Sequence, residues 1–279
     1  MIDWKKCTNK IASNEKIQNI QSYCTANSNV EKAPIDTFYK ERNKILRLCN
    51  NVQLLEDNEV LGPLLYVGII SATENYVRDI FAESIKICPI CKREITEHAI
   101  SVGSIIWQQG NFVEKGIFEN ISFSDGSQIK REFKKCLKFD IKRTSLLWSL
   151  LDEFDKLCQI RHAIVHSSRL LAGKNAIKIN IPPSNTWVVV KVGYAEIQEC
   201  ASICTSMVCE INTTLFGEMA RRWAVEWNKD DFWNDKKEKE TFDDLWNSFC
   251  SQMDTSDVDF ESLSKIKCKN AIKKEYNMD

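Results

Sequence analysis

Apolar residues recur at helical spacing through most of the chain. Between Thr37 and Asp57, Phe38, Ile45, Leu46, Leu48, Cys49, Val52 and Leu55 keep the three-to-four-residue period of one helix face. Gly62-Pro63 interrupts that pattern. A second long helix is predicted from about Leu64 to Lys86, with Leu65, Ile69, Ala72, Tyr76, Ile80 and Ala82 near one stripe. Pro63 suits a first turn, where the N–H it lacks has no partner anyway. The best-patterned segment, from about Ser145 to Leu171, carries Leu147, Leu150, Leu151, Phe154, Leu157, Cys158, Ile164 and Val165, with Ala172-Gly173 as its stop. Another helix is predicted from about Ala195 to Trp227.

Two stretches break the helical rhythm. Residues 87–126 read as an irregular insert with short helical pieces such as Ala99–Gln109 and Gly-centred loops at Gly110-Asn111 and Ser124–Ser127. Ala176–Ile181 and Trp187–Val192 are β-like runs separated by Pro182-Pro183-Ser184-Asn185-Thr186, the pattern of a small hairpin. The predicted fold class is therefore all-α, a helical bundle with a β-hairpin insertion and one irregular insert. Residues 1–36 form an N-terminal helical segment, 37–228 the main domain, and 229–279 an acidic helical C-terminal extension.

Composition sharpens this picture in three ways. Nine Gly and five Pro in 279 residues are too few for a sandwich with many tight turns. No stretch approaches the roughly 20 uncharged apolar residues of a membrane helix. Met1–Lys6 lacks the apolar core of a secretory signal. Together these predict a soluble, cytoplasmic protein with no membrane partner, whose twelve cysteines are mostly buried thiols rather than disulfides. The net charge of −1 conceals local asymmetry. Lys130–Arg143, read as a helix, has seven basic and two acidic residues, whereas 229–279 has nine Lys against thirteen Asp and Glu. Lys130, Arg131, Lys134 and Lys135 form either a phosphate-contacting face or an ordinary solvated one. The eight Trp are read as packing residues. No repeat, Walker loop or dinucleotide fingerprint is present.

Histidine is scarce, and two of the three histidines stand together in Arg161-His162-Ala163-Ile164-Val165-His166. His162 and His166 share a helix face, while Arg161 and His166 diverge by about 140° within ~7.5 Å of axial rise. Arg holds a phosphate bidentately and stabilises transition-state charge, and His exchanges a proton near neutrality. The bland alternatives are structural histidines on a helix flank and an Arg161 paired with Asp155 or Glu74. Metal ligation by Cys158, His162 and His166 is disfavoured, because the outer two are ~12 Å apart along the axis. Glu74, Arg78 and Asp79 either support this site or make surface pairs. Cys88-Pro89-Ile90-Cys91, followed by His98, is either a structural zinc knuckle completed by Cys136 or an N-terminal Cys, or two free thiols near a turn.

The Arg161–His166 segment resembles the Arg-(polar)-x-x-x-His signature of the HEPN superfamily. Its setting late in an amphipathic helix matches too, and Gly62-Pro63-Leu64-Leu65-Tyr66 through Glu74–Asp79 resembles the first core helix of ribonuclease-type HEPN domains. The resemblance covers roughly residues 37–228. It implies an all-helical domain that dimerises and joins two motifs at the subunit interface. It implies a metal-independent endoribonuclease of toxin, abortive-infection or antiviral systems, with RNA as substrate and a protein partner that inhibits or activates it. By carry-over His166 is the catalytic histidine, Arg161 binds phosphate, and His162 fills the polar position. The ribose 2′-OH would attack the adjacent phosphorus, leaving 2′,3′-cyclic phosphate and 5′-OH ends without a metal cofactor. The alternative is a non-catalytic HEPN-like module that binds a nucleotide or a protein; a metal-dependent hydrolase is a third class.

Overall fold

A computed structural model describes residues 13–26, 33–108, 113–257 and 260–278. Two units separate, residues 1–30 and 31–279. Of the first, the described part contains one 3₁₀ turn, Ile20–Tyr23, capped by the Asn19 side chain, which accepts from the Gln21 N–H. The expected N-terminal helical patterns at 1–12 and 27–32 lie outside the described residues.

The second unit is helical throughout its ordered elements. These are α1 (Pro34–Leu48), α2 (Val52–Glu56), α3 (Leu61–Ile87), α4 (Pro89–Glu94), α5 (Val102–Gln108), α6 (Val113–Gly116), α7 (Gly126–Leu137), α8 (Leu146–His166), α9 (Gly173–Lys178), α10 (Tyr194–Val225), α11 (Asp235–Phe249), α12 (Gln252–Thr255) and α13 (Lys265–Glu275). The long helix α3 is the hub. It packs on α1, α8 and α10, and the core is built from its Ile69, Ile70, Tyr76, Val77, Ile80 and Phe81. Phe81 meets Phe118, Phe123 and Phe133 edge-on, with ring centroids 5.8, 5.5 and 5.0 Å away, so the 87–126 insert and α7 close over the end of α3. Residues 229–279, distinct in composition, belong to the same compact unit, with Phe242, Leu245 and Phe249 of α11 buried against the bundle.

Four expectations need correction. The stretch from Thr37 to Asp57 is two helices, because the chain turns at Cys49–Asn51 and the Asn51 side chain caps α2 by accepting from the Leu54 N–H. The basic helix starts earlier and stops earlier than its charges suggest. Asp125 caps it by accepting from the Gln128 N–H, and Lys138 ends it in the left-handed region at φ 51°. The hairpin does not form: Ala176 and Ile177 are helical within α9. The second β-like run is extended, but it pairs with the chain just after α8, where Leu171 N–H donates to Val188 O and Val190 N–H to Arg169 O, each at 2.9 Å. Finally, Trp223 and Trp227 are buried as expected, whereas Trp107 and Trp187 are exposed.

Two glycines set close backbone approaches that position the later site. A Cβ on Gly62, in the first turn of α3, would lie 2.0 Å from the Val192 carbonyl oxygen, and one on Gly126 would lie 2.2 Å from that of Leu151. The start of α7 thus rests directly on the backbone of α8. Gly126→Ala is expected to force the two helices apart and to cost about 1–3 kcal/mol, the usual range for overpacking. The cost would appear as a lower urea midpoint at unchanged slope; a variant as stable as the parent would contradict this account of the α7–α8 contact.

Candidate functional site

Helix α8 delivers Arg161, His162 and His166 on its last two turns, then ends at once. Ser145 caps its start by accepting from the Trp148 N–H, and its C-cap is Ser167, five residues before the predicted stop. Ser168 and Arg169 adopt φ of 50° and 73°, a left-handed pair that side chains other than Gly rarely occupy. This reversal is held by Arg169, whose N–H donates to Ala163 O at 2.9 Å and whose guanidinium reaches the Glu59 carbonyl at 3.0 Å. His166 is therefore exposed at the very end of the helix, with its ring 4.7 Å from that of His162.

Beside this pair lies a polar cavity of about 210 Å³. Arg161, His162 and Gln159 form its α8 wall, Ser124 and Asp125 the α7 wall, and Lys174 and Lys178 the α9 wall. Helix α9 is docked by the buried Asn175, whose amide donates to the Gln159 carbonyl at 3.5 Å. With Asn175 fixed inward, Lys174 and Lys178 lie one turn apart on the rim. The Nε of Arg161 is buried and has no hydrogen-bond partner, and neither has Asp155 Oδ1. An unpartnered buried donor costs about 1–3 kcal/mol, more when charged, so this guanidinium carries an unmet hydrogen-bonding demand beside the cavity it lines.

The local electrostatics suit an anion. His162 is held below the usual imidazole value by partial desolvation and then by the positive neighbours His166, Lys174, Arg161 and Lys178. Burial pushes the Glu74 carboxyl up, against the opposing pull of Arg161, the Ser124 hydrogen bond and Arg78. Glu74 is thus brought to Arg161, as one of the bland readings anticipated, yet it leaves the Arg161 Nε unpaired.

The other predicted site residues are placed elsewhere. Arg78 donates to the carbonyls of Phe118 and Ile121 and lies over the Phe123 ring, so it braces the insert rather than the cavity. Lys130 is tied to Asp152 and packs on Trp148 with its Nζ 3.9 Å from the ring centroid, and Lys134 pairs with Asp140 at 3.0 Å. Arg131 bonds Gln128, and Lys135 is exposed near His98. None of these four basic residues lines the cavity. Lys174 and Lys178, which sequence reasoning missed, take that place; reading 176–181 as a strand hid their one-turn spacing.

The predicted zinc set is divided. Cys88 and Cys91 are both fully buried and face the guanidinium of Arg222, whose Nη1 lies 3.6 and 3.4 Å from their sulfurs. A divalent cation there would sit against a permanent positive charge. His98 instead lies with Glu132 and Cys136, and the three ligand atoms are all within 4.8 Å of one another.

Fold and site together define an all-helical domain with an Arg–His cluster beside a lysine-rimmed polar cavity. The sequence model of the RiboL-PSP-HEPN family matches residues 36–216, and the chain belongs to that family of the HEPN superfamily. No curated protein and no solved structure matches the chain. Membership makes an RNase-type domain or a HEPN-like binding module the functional class. Among the described residues no helix is long and apolar enough to cross a membrane.

The charge arrangement has a direct readout. In an NMR titration the His162 ring is expected to protonate below the ordinary value of about 6.5. Replacing Lys174 and Lys178 together by Ala removes two positive neighbours and is expected to move that midpoint upward. An unchanged midpoint in the double variant would separate the lysines from the histidine.

Proposed function

We propose that the protein is a metal-independent endoribonuclease that acts as a toxin or antiviral defence effector. The observation that carries this reading is the unpartnered buried Nε of Arg161 at the wall of a lysine-rimmed cavity, with His162 and His166 in ring contact beside it. RNA phosphate is the anion that suits a cavity lined by Arg161, Lys174 and Lys178. Arg161 holds the scissile phosphate and stabilises the phosphorane. The 2′-OH attacks phosphorus, His166 assists the proton transfers, and the 5′-oxygen leaves, giving 2′,3′-cyclic phosphate and 5′-OH ends. Lys174 and Lys178 take the flanking phosphates, a role first expected of the 130–135 cluster.

A second copy of the chain completes the site in this proposal. Arg161 and His166 diverge by about 140° around α8, so one helix does not aim both at one phosphate. The exposed end of α8, with Val165 45% accessible next to His166, is the face on which two motifs would meet. Family resemblance supports the homodimer and the defence role.

The proposal is tested on purified protein in chelator. Wild type is expected to cut RNA, and His166→Ala to lose about 10²–10⁴-fold in rate. The Lys174→Ala/Lys178→Ala pair is expected to weaken RNA binding and flatten its salt dependence by about two charges. Cleavage that requires Mg²⁺, or an undiminished His166→Ala rate, would overturn the mechanism. A wild type that binds RNA without cutting it would favour the non-catalytic module.

A further inference from the structure

Away from the Arg–His cluster, a mixed set of ligating side chains converges where α7 meets the segment after α4. Glu132 and Cys136 stand four residues apart on the inner face of α7, 4% and 0% exposed. His98 reaches them from a turn pinned by its own N–H, which donates to Ile95 O at 2.9 Å. The Cys136 sulfur lies 3.6 Å from His98 Nε2 and 3.0 Å from Glu132 Oε2. Tetrahedral zinc, with bonds of about 2.0–2.3 Å, holds its ligand atoms roughly 3.5 Å apart. The sulfur–nitrogen edge already has that length, and the sulfur–oxygen edge needs to open by about half an ångström.

We propose that His98, Glu132 and Cys136 form a zinc site that ties the insert to α7. The donor set of one nitrogen, one oxygen and one sulfur suits a borderline-soft ion, whereas Mg²⁺ and Ca²⁺ take oxygen ligands. Gln128 orients the carboxylate from behind, its amide donating to Glu132 Oε1 at 2.7 Å. Without metal, the Cys136 thiol keeps its proton in a hydrogen bond to the Glu132 carboxylate. Zinc replaces this proton: a Zn–S bond forms, the S–H bond breaks, and the proton leaves to solvent. His98 is only half-buried, so solvent is at hand on its side to complete the coordination. The Cys88-x-x-Cys91 knuckle takes no part, since Arg222 occupies both its sulfurs.

The test is direct and does not depend on RNA cleavage. Full-length protein stripped by chelator is titrated with Co²⁺ and then Zn²⁺. One Co²⁺ per chain is expected, with a thiolate-to-cobalt charge-transfer band that Zn²⁺ abolishes. Cys136→Ser and His98→Ala are expected to weaken binding by more than the roughly 10–100-fold typical of outer-shell changes. Cys88→Ser and Cys91→Ser are expected to leave the band unchanged, and circular dichroism checks that each variant is folded. Absence of the band in wild type would overturn the site. So would its loss in Cys88→Ser or Cys91→Ser with survival in folded Cys136→Ser, which would return the metal to the knuckle.

Discussion

Arg222 is a permanent charge with 2% of its surface exposed, and the arrangement of three helices around it depends on giving every donor a partner. Its Nε pairs with Glu218 one turn back on α10 at 2.6 Å. Its Nη2 donates to the carbonyls of Leu137 and Lys138 at 2.9 and 3.1 Å, which are acceptors that the end of α7 leaves open. Its Nη1 faces both thiols at the start of α4. Among these, the hydrogen bond from the Cys91 thiol and the guanidinium lower the Cys88 pKa, while the same thiol contact and burial raise that of Cys91. Removing one partner of such a buried charge typically costs about 3–5 kcal/mol, because the other is left uncompensated. One guanidinium therefore joins α10, α7 and α4.

That clamp reaches the candidate active site through α7. The helix is held at its C-terminus by Arg222 and at its N-terminus by the Gly126 contact with α8, so its two ends are fixed to different core helices. Asp125 and Ser124, at the fixed N-terminal end, form one wall of the cavity that contains Arg161. The α9 wall is set independently by Asn175, and the exit of the chain from His166 by the left-handed pair Ser168 and Arg169. The cavity therefore stands on helical elements from three directions, so its wall residues are held in place by packing rather than by loops alone.

Periodicity made α3, α8 and α10 legible, because each buries an apolar stripe over most of its length. The Arg161–His166 segment stood out for another reason: two of the three histidines fall there one turn apart, directly behind an arginine. Short elements were less legible. Ala176–Ile181 has a β-like composition, but six residues give a hairpin no partner of its own, and the run folds as the last turn of α9 and the bend after it while its intended mate pairs with 169–171. The partner of the Cys88-x-x-Cys91 pair was beyond local reading, since Arg222 lies 131 residues from Cys91. The basic run was over-read: counting charge shows neither that Lys130 is spent on Asp152 and Trp148 nor that Lys134 is spent on Asp140.

The charge of the chain as a whole, −1, says little about the ligand it takes; the pairing of individual charges says more. Most lysines of α7 already have carboxylate or ring partners, and bringing them to a phosphate would mean breaking those contacts first. Arg161, Lys174 and Lys178 face a shared cavity whose facing carboxylate, Asp125, is occupied in capping α7. Glu74 approaches Arg161, yet burial raises its pKa and so weakens it as a counter-ion. Arg161, beside two histidines, thus keeps no salt bridge to a carboxylate among the described residues. Its unpaired Nε leaves a desolvation cost in the folded protein, which marks this guanidinium as one kept for something other than stability.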